Sequence, residues 1–198
     1  MSGPIGRFIV LEGGEGSGKS TQARRLADRL GAVLTHEPGA TGLGRRIREV
    51  VLDPGAGTIN ARAEALLMAA DRAQHVAEVV LPALRRGQTV VSDRFSGSTL
   101  AYQGHGRGLR VDELSGISAW AAGGVEPDLV VLLDVPLDDA LGRASGGDRM
   151  EAEAREFHER VAAGYRALAA RSPSRWIVVD GRGTVDDVAE RVWKAVGG

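Results

Sequence analysis

The chain contains no cysteine, which excludes disulfides, thiolate metal sites and cysteine nucleophiles. Net charge of one sign is also missing: 25 basic residues face 26 acidic ones, and no basic tail or stripe points to bulk nucleic-acid binding. No apolar run approaches the roughly 20 residues of a membrane span. The stretch from Met1 to Arg7 has no apolar signal core, so a soluble, cytoplasmic protein is expected. Lysine is nearly absent, since Lys19 and Lys194 are the only two against a background of arginine. A lysine kept at position 19 therefore calls for a reason. The 198 residues suit one domain spanning 1–198, and a chain of this size buries about 70% of its unfolded surface without staples.

Short apolar runs alternate with helical periods. Phe8–Leu11, Ala32–Thr35, Thr89–Val91, Leu129–Leu133 and Trp176–Val179 are β-branched-rich and continuous, as strands buried on both faces are. Helical stretches are read over Lys19–Leu30, Gly44–Leu52, Ala61–Arg86, Val111–Ala122, Leu137–Arg143, Ala152–Arg171 and Thr184–Val196. The alternation predicts an α/β fold, a five-stranded parallel sheet with helices on both faces. Asp53–Gly57 and Gly104–Gly108 read as loops.

Gly13-Gly14-Glu15-Gly16-Ser17-Gly18-Lys19-Ser20 fits the phosphate-loop pattern G-x-x-x-x-G-K-[ST], and Thr21 opens the helix behind it. Glycines let backbone N–H groups close around polyphosphate, and the following helix offers its positive end. Lys19 would reach the β- and γ-phosphates and the Ser20 hydroxyl would bind Mg²⁺. The motif implies ATP or a related triphosphate, and a P-loop NTPase fold. A GTPase would carry N-K-x-D, but Asn60, the only asparagine, is followed by Ala61. A small kinase remains. Asp93 and Arg94 follow the third strand, at the carboxyl end where open parallel sheets bind ligands. Asp93 is placed to hold Mg²⁺ and Arg94 to fork between donor and acceptor phosphates. The four histidines show no metal spacing and read as incidental.

The run Asp93-Arg94-Phe95-Ser96-Gly97-Ser98-Thr99-Leu100-Ala101-Tyr102-Gln103-Gly104 resembles the D-R-[YFH]-x-x-S-x-x-A-Y-Q-G signature of thymidylate kinases. Glu12–Thr21 resembles that family's phosphate loop, Thr35–Thr41 its T-R-E-P-G-G-T, Leu66–Arg72 its L-L-F-x-A-x-R and Pro127–Asp134 its P-D-L-x-x-x-L-D. The resemblance implies transfer of the γ-phosphate of ATP to dTMP with Mg²⁺, small-molecule nucleotides as partners, and a homodimer. The acceptor phosphate is mostly dianionic near neutrality, its second pKa being about 6. No general base is therefore needed, and the protein has to supply positioning and positive charge.

By the same resemblance, Glu15 reaches the acceptor sugar's 3′-hydroxyl, and Arg48 clamps its phosphate. Arg72, Thr99 and Gln103 line the base pocket with Ser98 close by, and Tyr102 excludes ribose. Met68 stands where the family stacks Phe on thymine. Members with Gly at the position of Gly16 carry catalytic arginines in a lid, read here over about 142–151. Arg149 is the expected transition-state cation and Arg143 the one nearer the ATP base. A kinase for another nucleoside monophosphate or a deoxynucleoside, and a nucleotide-binding module without catalysis, stay open as alternatives.

Overall fold

The computed structural model describes residues 6–143 and 147–197. Residues 144–146, inside the expected lid, lie outside the described residues. The strands are β1 (Phe8–Glu12), β2 (Val33–His36), β3 (Val90–Asp93), β4 (Leu129–Asp134) and β5 (Trp176–Asp180). They form one sheet in the order β2-β3-β1-β4-β5, with every neighbouring pair parallel. Each of the five expected strands is present, shifted by no more than a residue or two at its ends.

The helices are α1 (Lys19–Leu30), α2 (Gly42–Leu52), α3 (Ala61–His75), α4 (Leu81–Arg85), α5 (Ser96–Thr99), α6 (Val111–Ala121), α7 (Leu137–Arg143), α8 (Arg155–Arg171) and α9 (Val185–Val196). A wide π turn, Val76–Val80, joins α3 to α4, so the long helix read over 61–86 is one run with a local bulge. A second π turn, Leu100–Gly106, continues α5. This corrects the loop expected at Gly104–Gly108, whose first three residues lie inside a helical turn. The loop read over Asp53–Gly57 contains a 3₁₀ turn at Pro54–Ala56. Residues 152–154 precede α8 rather than belonging to it.

Alternation along the strands sorts the core. Ile9 and Leu11 of β1, with Val91, Val131, Leu133 and Val179, pack under α1 and α9 through Leu26, Val188 and Val192. Phe8 and Val10, pointing the other way, join Val76, Val80, Leu84 and Phe95. A third cluster around Tyr102, Met150, Phe157 and Tyr165 fills the space under α8. With β1 covered on both faces, all five of its residues are buried.

Gly18 caps α1 with φ 85° and Gly31 ends it with φ 60°, both left-handed. Because β1 lies between β3 and β4, its phosphate loop opens directly beside the ends of those two strands. That adjacency sets the site.

Phe8→Ala should cost about 3–5 kcal/mol of stability, because Phe8 is 1% exposed and meets the Phe95 ring edge-on at 5.0 Å. Urea denaturation followed by circular dichroism checks this.

Candidate active site

The phosphate loop is held by its own side chains. Ser17 Oγ donates to the Gly14 carbonyl at 2.8 Å and Lys19 Nζ donates to the same oxygen at 3.0 Å. Gly16 has φ 67°, and a Cβ there would stand 1.9 Å from the Ala140 carbonyl oxygen of α7. The backbone of α7 thus closes on the loop where any side chain would block it. Ser20 and Thr21 are exposed on the first turn of α1. Burial and the Arg94 charge push the Lys19 ammonium below its ordinary value, while Glu15, Asp93 and Glu12 oppose them.

Arg94 occupies the centre. Its backbone is left-handed at φ 73°, the one non-glycine residue with positive φ among the described residues. Such strain persists where the surroundings over-determine it, as they tend to at functional sites. Its N–H donates to the Leu11 carbonyl, and its own carbonyl accepts from Ser92 Oγ. The guanidinium donates to the Gly13 carbonyl, Ser98 Oγ, Tyr165 Oη and Tyr102 Oη. Its ion pair with Glu15 measures 2.6 Å. Tyr102 Oη donates to the same Glu15 oxygen at 2.7 Å. Burial raises the Glu15 carboxyl, but Arg94, Lys19 and the Tyr102 hydrogen bond outweigh it and hold it at about 2.

Asp93 ends β3 in register with Leu11 and His36. One of its carboxylate oxygens, Oδ1, is buried without a hydrogen-bond partner. A cleft of about 400 Å³ opens beside it, lined by Lys19, Ser20, Arg48, Asp93 and Arg94. A carboxylate oxygen left bare in a cleft that Ser20 also lines suits a hard divalent cation that takes its remaining ligands from phosphates and water. Among the described residues no group of three or more His, Cys, Asp or Glu gathers to hold a metal alone.

A second cavity, about 90 Å³, shares Glu15, Glu37, Arg48 and Arg94 with that cleft. Arg48, Met68, Arg72, Ser98, Thr99, Tyr102 and Gln103 line it, so the expected acceptor residues do converge. Arg48 also borders the first cleft and donates to the Pro38 carbonyl. Arg72 is 2% exposed and donates to Glu37 at 3.0 Å, Ser118 Oγ at 3.2 Å and Thr99 Oγ1 at 3.1 Å. A larger cleft of about 510 Å³, near Ser115 and Trp176, carries none of the phosphate-loop residues.

The two lid arginines part company. Arg143 is exposed at the end of α7, one turn past Ala140. Arg149, the expected transition-state cation, is engaged with other partners in this structure. Its guanidinium turns to Glu64 at 2.5 Å and to the Val51 carbonyl at 2.8 Å, and its backbone N–H donates to Leu52. The reason is a fully buried carboxylate on α3 that has to be paired.

Several residues were not picked out from sequence. Glu12, fully buried, accepts from the Phe95 and Ser98 N–H groups, Ser98 Oγ and Tyr165 Oη. Burial pushes its carboxyl up despite those bonds. A glutamate closing an apolar strand was the available signal. Glu37 ties Arg72 to His75, and His75 Nε2 meets Thr35 Oγ1 at 2.6 Å. His75 is thus a buried structural bridge rather than incidental. Tyr165 and Glu64 reach the site only through packing, which one sequence does not display.

The depressed Glu15 carboxyl gives a pH prediction. A carboxyl lowered on folding adds stability above its unfolded value, and that stability is lost as pH falls through the folded value. The stability gap between the protein and Glu15→Gln should therefore be full near about pH 5 and shrink toward about pH 2. Urea titrations across that window measure it, and a pH-independent gap would contradict the assignment.

Residues 11–192 match the thymidylate kinase family. The chain is 48% identical over 198 residues to a thymidylate kinase from Cutibacterium acnes, covering 98% of this chain and 97% of that one. It is 52% identical over 206 residues to a thymidylate kinase from Leifsonia xyli subsp. xyli, covering 97% and 96%. The crystal structure of thymidylate kinase from Ehrlichia chaffeensis superposes with a TM-score of 0.80 at 31% identity, covering 98% of this chain and 100% of that chain. With the phosphate loop, the Asp93-Arg94 strand end and the fold all in agreement, the chain belongs to the thymidylate kinase family.

Proposed function

We propose that Lys19 and Arg94 carry the transfer of the γ-phosphate from ATP to dTMP, the reaction of this family, and that Ser20 and Asp93 are the residues that would hold Mg²⁺. The observation that carries this reading is the Arg94–Glu15 pair, which borders both cavities. Donor phosphates on the loop and an acceptor in the second cavity would meet there.

An oxygen of the acceptor phosphate attacks the γ-phosphorus. The bond to the bridging oxygen breaks, and its electron pair leaves on ADP. Lys19 holds the β- and γ-oxygens, and Arg94 spans donor and acceptor phosphates. The bound cation would neutralise charge on the phosphate oxygens. Gly13, Gly14, Gly16, Ser17 and Gly18 wrap the polyphosphate with backbone N–H groups. Glu15 accepts from the acceptor sugar's 3′-hydroxyl, and Tyr102 limits the space beside C2′. Arg48 holds the acceptor phosphate, while Arg72, Thr99 and Gln103 face the base and Met68 contacts its ring through a polarisable thioether. Arg143 serves the donor side. Arg149 reaches the transferring phosphate only on leaving Glu64.

No helix among the described residues is long and apolar enough to cross a membrane. The reaction is assigned to the cytoplasm, with small nucleotides rather than nucleic acid as partners.

A homodimer through α2, α3 and α6 is also proposed. These helices pack side by side. They expose Leu43 and Val50 on α2, Leu66 on α3, and Trp120, 84% exposed, on α6. Exposed apolar side chains of this size on neighbouring helices mark association surfaces. Sedimentation velocity should show a dimer that Trp120→Asp with Leu66→Asp converts to monomer. A monomeric parent protein would refute it.

The functional test is ADP release with Mg·ATP and dTMP, dUMP, dCMP, AMP, GMP or thymidine. Turnover should be largely confined to dTMP. Turnover centred on another acceptor would overturn the assignments of Arg72, Thr99 and Tyr102 while leaving the phosphate-transfer residues in place.

A further inference from the structure

Glu64 lies outside the reacting centre, yet it is a fully buried carboxylate bonded to Gln103, a residue of the acceptor cavity wall. It sits on α3 and is 0% exposed. Oε1 accepts from Gln103 Nε2 at 2.8 Å and from Arg107 Nε at 3.3 Å. Oε2 accepts from Arg107 at 3.2 Å and from Arg149 at 2.5 Å. Burial pushes the carboxyl up, but the bonds from Gln103, Arg149 and Arg107 outweigh it and keep the carboxyl below its ordinary value.

An ionised carboxylate only accepts hydrogen bonds, whereas a glutamine amide both donates and accepts. Glu64 therefore dictates which end of the Gln103 amide faces it. The NH₂ group turns to Glu64. The carbonyl oxygen, which takes no hydrogen bond among the described residues, is left to the cavity that Gln103 lines. A carbonyl acceptor there suits a pyrimidine whose ring N3 carries hydrogen, as thymine does. It repels cytosine, whose N3 is an acceptor.

The same carboxylate reaches the strap 147–153. Arg149 is pinned to Glu64, and Arg107 links Glu64 to Glu153 at 2.6 Å. Asp148 and Met150 from the strap form part of the cavity wall. Asp148 holds their turn by accepting from the N–H groups of Met150 and Glu151.

We propose that Glu64 is a positioning residue for base selection: it sets the Gln103 amide to read a ring N–H and ties the strap against the same pocket. This rests on the assignment of that cavity to the acceptor base. Glu64→Gln keeps the shape, removes the charge and frees the amide to turn over.

The test is steady-state ADP release by the full chain with Mg·ATP and either dTMP or dCMP, with folding checked by circular dichroism. Losing an acceptor that distinguishes the two bases should lower the ratio of kcat/KM for dTMP over dCMP by about tenfold or more. The KM for dTMP should rise, and the KM for ATP should stay within about twofold, since uniform binding is lost only on the acceptor side. Adding Gln103→Met to Glu64→Gln should lower the ratio no further, because one residue acts through the other. Arg149→Met, which leaves the Glu64–Gln103 bond, should raise KM for both acceptors alike.

If Glu64→Gln does not fold, Glu64→Asp takes its place, since it keeps the charge and withdraws the carboxylate from Gln103. A ratio that falls in Gln103→Met but not in the Glu64 variant overturns the proposal. A ratio unchanged in Gln103→Met overturns the cavity assignment beneath it.

Discussion

The part-buried guanidinium of Arg94 is the constraint on which the rest of the site depends. Its donors are committed to the Gly13 carbonyl, to Glu15 and to the hydroxyls of Ser98, Tyr102 and Tyr165. Those partners come from β1 and its loop, from the helical stretch after β3, and from α8. A charge largely withdrawn from water needs partners, and a planar fork allows only a narrow set of partner positions. Arg94 therefore does more than offer charge to phosphate, because it also fixes three elements relative to one another. The left-handed backbone at φ 73° is part of the same constraint. It turns the chain from the end of β3 so that the side chain reaches back across β1.

Around that centre the molecule holds a small set of buried or part-buried charges, each with a distinct support. Glu15 is kept ionised by Arg94 and Lys19. Glu12 is ringed by backbone N–H groups and hydroxyls and is pushed the other way by burial. Glu37 stands between Arg72 and His75. Glu64 stands between Gln103, Arg107 and Arg149. Removing one partner of such a group leaves an uncompensated charge, so these clusters tolerate little change. They also hold the polar edges of the acceptor cavity in fixed orientations, which is what discrimination between similar bases requires.

Much of the architecture was legible in one sequence because its signals are local. A buried parallel strand is a short continuous apolar run, and the five such runs are the five strands observed. The phosphate loop was legible for the same reason: the glycine spacing and Lys19 encode a backbone shape that needs no distant partner. The 100–106 turn was not, because its glycines at 104 and 106 signal a loop, whereas packing against α8 keeps it helical. Gly106 and Gly164 lie against Phe157 and His105 with no room for a Cβ. Arg149 marks the opposite limit. Its place beside Glu64 depends on a residue 85 positions away, and no periodicity reports such a distance.

By itself, the sequence determined the class of fold, the phosphate loop, the acidic-basic pair that ends the third strand and the family those motifs resemble. Each of these follows from neighbouring residues acting on a backbone with few allowed shapes. Tertiary structure alone decided which charges meet. It brought Tyr165 under Arg94 and Glu12, set His75 between Thr35 and Glu37, and drew the strap arginine to the acceptor side. Those outcomes rest on the cost of leaving a buried polar group unpaired, and that cost is settled only when distant elements have packed.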